Sequence, residues 1–170
     1  MLTIGPQGTL ENGQVLIRDG KIAAVGTGLD APEAQVLDAH GGYVLPGLID
    51  AHCHVGIYET AIGFPGDDGN ETSEPVTPQL RAIDGVYPLD PDYGLAVRGG
   101  VTTVATGPGS SNPIAGEFIA MKTWGMTVED MVLRSPLAMK MAFGENPKCS
   151  FGRKGHMPVT RMAIAALIRD

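Results

Sequence analysis

The sequence predicts an α/β chain in two parts: a β-sandwich segment over residues 1–46, then strands alternating with helices over residues 47–170. Three observations predict it. Short apolar runs divided by Asn-Gly and Asp-Gly fill the first part. After about residue 46, β-branched runs alternate with helix signals, the pattern of a parallel sheet. Between the runs stand 24 glycines and 13 prolines, nearly twice the usual share of about 12% for the pair, which cuts the chain into many short elements.

Residues 14–17 and 21–25 are apolar runs joined by Arg18-Asp19-Gly20. Asp-Gly tolerates the positive φ of a type I′ turn, so these runs predict a hairpin. Asn12-Gly13 offers the same turn chemistry just before it. Residues 35–38 and 43–45 read as further strands, giving four or five in this first segment. So small a unit needs a partner surface. In the second part, residues 48–55 form the first candidate strand, and the Gly-, Pro- and acid-rich stretch 56–84 reads as a loop. Loops of that length inside a domain are functional or mobile. Asp90 caps a helix with Pro91 at its first position, running to Arg98 and stopped by Gly99-Gly100. Residues 101–106 are a β-branched strand. Thr127 and Asp130 resemble a capping box for a short helix that Pro136 prevents from continuing. A third strand is expected over 137–143, and a closing helix over 158–169.

Composition narrows the function classes. With 43% hydrophobic and 18% charged residues the chain is not disordered. A net charge of −7 argues against a nucleic-acid or anionic-membrane surface. No apolar run approaches the roughly 18–20 residues of a membrane span, and no signal peptide is visible. Two cysteines, Cys53 and Cys149, exclude a disulfide-stapled miniature fold. The expectation is a globular protein of a reducing, cytoplasmic compartment.

The chemistry sits in Asp50-Ala-His-Cys-His54. Residues two apart on a strand share a face, so His52 and His54 point one way while Cys53 points the other. Two neutral imidazoles at that spacing suit a borderline-soft cation such as Zn²⁺; a satisfied polar pair at a strand end is the other reading. Gly107-Pro-Gly-Ser-Ser lacks the lysine of a phosphate-cradling loop and reads as a turn. The methionines read as core filler, and Trp124 as a packed aromatic.

In this setting three segments together resemble the amidohydrolase superfamily, the metal-dependent hydrolases of urease and dihydroorotase type. They are ENGQVLIRDGKIAAVG at 11–26, VLPGLIDAHCHVG at 44–56 and GGVTTVATGPG at 99–109. LAMKMAFGENPK at 137–148 and TRMAIAALIR at 160–169 are similar to the imidazolonepropionase-related branch. The resemblance implies a β-sandwich beside a (β/α)₈ TIM-like barrel, of which this chain holds the first strands and helices. It also implies one or two divalent metals, zinc by expectation, and hydrolysis of carbon–nitrogen bonds in amides or cyclic amides through metal-activated water. His52 and His54 would be metal ligands. The bridging ligand would be Glu145 or Lys140, with Glu145 preferred because it lies at the expected strand end. Neither His40 nor His156 sits in a matching motif, and no residue matches the catalytic Asp.

A closed barrel takes about 250 residues, and the chain stops at Asp170 without a helix-stop signal. The expectation is the front of a longer protein, inactive and poorly folded by itself. The competing reading is a non-catalytic, truncated or degenerate homologue serving binding or oligomerisation. A homo-oligomer is left open under either reading.

Overall fold

Asp19 and Gly20, at φ 52° and 69°, make the turn that Asp-Gly predicts, and it joins β1 (Gln14–Arg18) to β2 (Lys21–Gly26) as an antiparallel pair. This hairpin belongs to a first unit, Met1–Gly47; a second unit is Leu48–Asp170. The computed structural model describes all 170 residues. The first unit holds this one two-stranded sheet and an isolated bridge between Leu2 and Thr9, not a sandwich. Residues 35–38 and 43–45 are not strands. They join no ladder: the Val44 carbonyl accepts a single backbone hydrogen bond, from the Leu2 N–H, and Val36, Leu37 and Tyr43 stay exposed. An apolar run with neither a ladder nor a buried face has little to fix it as a strand.

The second unit is built on a four-stranded sheet in the order β3 (Leu48–Cys53), β4 (Val101–Thr106), β5 (Ile114–Lys122), β6 (Val132–Met141). The sheet is mixed, which corrects the expectation of a purely parallel one. β3 and β4 are parallel, whereas β4/β5 and β5/β6 are antiparallel. Consequently β3, β4 and β6 all run one way, with β5 reversed between β4 and β6. The reading of the sequence missed β5, because Gly116 and Glu117 break its apolar alternation.

Helix α1 (Pro91–Arg98) makes the crossover from β3 to β4, with the Asp90 side chain accepting from the Asp92 N–H as the expected cap. α2 (Val128–Met131) is capped by Thr127, again as expected, but it ends well before Pro136. β6 starts at once and runs through Pro136, five residues earlier than the expected start at 137. An edge strand tolerates a proline beside an irregular stretch of ladder, and the register shifts between Phe118/Ala138 and Ala120/Arg134. α3 (Glu145–Gly152) was not expected, and α4 (Arg161–Arg169) begins after a Thr160 cap rather than at Pro158.

One face of the sheet carries the core: Val104, Ile119 and Met121 pack with Ile57, Ala82, Val86, Tyr93 and Met131. Met121 and Met131 are buried fillers, but Met126, Met157 and Met162 are exposed, as is Trp124 at 81%. The 56–84 stretch is loop except for short 3₁₀ turns at Phe64–Gly66 and Ala82–Asp84. It is tied down by Asn112, which donates to the carbonyls of Glu71 and Glu74, and by a Tyr58–Asn70 hydrogen bond. No helix is long and apolar enough to cross a membrane.

Candidate metal centre

His52 lies near the C-terminal end of β3 and His54 one residue beyond it. Their rings meet edge to face, with centroids 5.2 Å apart, so both reach the same space. Cys53 points the other way and packs against the core; burial pushes its thiol up from the ordinary value. The His54 ring is oriented through Nδ1, which lies 2.7 Å from the Gly107 carbonyl just past the end of β4. A carbonyl only accepts, so Nδ1 carries the hydrogen and the Nε2 lone pair faces away from that bond. Asp50 accepts the His52 backbone N–H at 3.1 Å and shapes the strand end.

The third group at this point is Lys140, near the end of β6, with Nζ 3.1 Å from His52 Nε2. Loss of hydration, then the Lys140 charge and His54, push the His52 imidazole below its ordinary 6.5, against a smaller opposite pull from Asp50. Burial also lowers the Lys140 ammonium. Both shifts favour the uncharged forms that hold a lone pair for a cation.

The expected residues are thus only partly assembled. His52, His54 and Lys140 converge, whereas Glu145 opens α3 with an exposed side chain. No three His, Cys, Asp or Glu side chains gather into a cluster, so Glu145 does not complete the histidine pair. The strand expected over 137–143, just ahead of Glu145, ends at Met141 instead. His40, exposed beside Asp38 in the first unit, and His156, exposed after α3, take no part in the pair. Gly107-Pro-Gly-Ser-Ser is a structural turn: its first carbonyl orients His54, and the Ser111 N–H donates to Asn70.

No family model matches the chain. The crystal structure of an amidohydrolase from Thermotoga maritima MSB8 superposes with a TM-score of 0.86 at 43% identity, over 92% of this chain and 41% of that one. The chain belongs to the amidohydrolase superfamily. Among curated relatives of this amidohydrolase-superfamily chain, amidohydrolase tasK of Hapsidospora irregularis is 37% identical over 88% of this chain and 17% of its own length. A dihydroorotase of Pelotomaculum thermopropionicum is 37% identical over 64% of this chain and 20% of its own. A D-hydantoinase of Geobacillus stearothermophilus is 56% identical over 24% of this chain and 9% of its own. The chain therefore spans about a fifth or less of these curated relatives. Over that part it is homologous to hydrolases of C–N bonds, a family that is typically metal-dependent.

Proposed function

We propose that these residues are the front of a metal-dependent hydrolase that opens amide or cyclic amide bonds of a small molecule. The observation that carries this reading is the convergence of His52, His54 and Lys140 at the C-terminal ends of β3 and β6, where a (β/α)₈ barrel gathers its reactive groups. In this reading β3, β4 and β6, which run one way, are the first staves of that barrel, and β5 is an added reverse strand.

The donor set fits a divalent metal such as zinc, one or two ions: two imidazoles with a defined tautomer at one of them, and a lysine nitrogen within reach. When bound, the metal lowers the pKa of a water and polarises the scissile carbonyl. His52 and His54 would hold it, and the Gly107 carbonyl would keep His54 turned toward it. Lys140 replaces Glu145 as the preferred bridging group. Burial lowers its ammonium and so eases loss of a proton; the free amine would attack carbon dioxide and lose a second proton, leaving a carbamate anion on Nζ. Tyr58, edge to face with His54 at 5.9 Å, bounds the other side of the site. The free thiols of Cys53 and Cys149 suit a reducing, cytoplasmic setting.

The test is metal analysis of the intact protein and of a His52→Ala, His54→Ala double variant, with turnover of dihydroorotate, hydantoin and allantoin as cyclic-amide probes. Bound metal lost in the double variant, with turnover of a cyclic amide by the wild type, supports the reading. Full metal content in the double variant overturns it, and a metal-free, inert wild type would favour the binding-module alternative.

A further inference from the structure

Phe118 is 5% exposed on β5, yet it lies outside the hydrophobic cluster that holds its neighbours Ile119 and Met121. Strand alternation explains the separation: Ile119 and Met121 point to the core face and Phe118 to the opposite one. On that face its ring is stacked against His52, with centroids 5.5 Å apart and planes 12° from parallel. It meets His54 edge to face at 6.4 Å. The Lys140 ammonium stands 5.8 Å from its centroid. Register places the lysine there, since Phe118 pairs with Ala138 and Lys140 lies two residues further along the same face of β6. Gly107 completes the arrangement, because a Cβ at that position would overlap the Phe118 ring. The glycine whose carbonyl orients His54 is therefore also the one that admits the phenyl group.

We propose that Phe118 is a positioning residue of the metal centre, a single aromatic platform that holds His52, His54 and Lys140 in mutual register. The inference rests on the function proposed above. Its three neighbours come from β3, the turn after β3, and β6. A dispersive, quadrupolar ring contact orients an imidazole without consuming either ring nitrogen, so both histidines keep their lone pairs for the cation. Before Lys140 carries a carbamate, the same face attracts its ammonium form, which places Nζ beside His52.

The experiment compares wild type, Phe118→Leu, Phe118→Met and Phe118→Tyr in the intact protein, reading Co²⁺ affinity and the ligand-field spectrum of the bound ion. Expected is a loss of affinity of at least tenfold with an altered spectrum in F118L and F118M, and recovery of both by F118Y, which keeps the ring. Wild-type affinity and spectrum in a folded F118L or F118M overturn the inference while leaving the function standing. A wild type that binds no Co²⁺ overturns both. A crystal structure of the metal-loaded wild type decides the matter even where the variants do not fold. A His52 ring still stacked on Phe118 supports the role, and one turned away from it overturns it.

Discussion

Lys140 Nζ lies 3.1 Å from His52 Nε2, which joins the end of β6 to the end of β3 across 88 positions of sequence. The contact favours Lys140 over Glu145 as the proposed bridging group. Lys140→Ala in the intact protein is expected to remove most bound metal, whereas Glu145→Ala, a change at an exposed helix start, is expected to leave metal content at the wild-type level. Elemental analysis after dialysis against a weak chelator measures this. The opposite pattern would return the role to Glu145.

Gly56 sits at φ 86° directly after the metal-centre turn, and a Cβ there would overlap the Tyr93 phenol. Gly56→Ala combines a left-handed cost of about 1–2 kcal/mol with overpacking of about 1–3 kcal/mol. A loss of stability of about 2–5 kcal/mol is expected in denaturant melts, with metal affinity falling because the chain leaving His54 must move. A neutral variant would show that the turn relaxes freely.

Asn112 is buried, and its side-chain amide donates to the carbonyls of Glu71 and Glu74 in the long loop. Asn112→Ala strands both acceptors, a cost of about 1–3 kcal/mol. The local outcome is faster proteolytic cutting between residues 67 and 77, with little change in the hydrogen exchange of β3 and β4. Unchanged cutting would mean that the Tyr58–Asn70 bond alone holds the loop.

Burial, with Asp90 and Cys53 nearby, raises the Tyr93 phenol well above its ordinary 10.0. The folded state therefore keeps the phenolic proton more tightly than the unfolded state. The resulting stability is fully present below pH 10.0 and is lost as pH rises above it, by at most about 1.4 kcal/mol per pH unit. Denaturant melts from pH 8 to 11 should show that decline in wild type and a shallower one in Tyr93→Phe. Equal slopes would assign the decline to other groups.

The sequence by itself determined the short-range features. The Asp19-Gly20 turn, the Asp90 and Thr127 caps and the common face of His52 and His54 each depend on a few neighbouring residues. Backbone sterics, a cap hydrogen bond and the two-residue period of a strand settle them locally. Only the tertiary structure decided that β5 runs in reverse, that Lys140 rather than Glu145 reaches the histidines, and that Phe118 lies beneath all three. Those outcomes depend on the ladder that sets Phe118 opposite Ala138. A slip of one residue there would turn Lys140 to the other face. That register is set by pairing between distant segments of chain, and no local pattern in either strand encodes it.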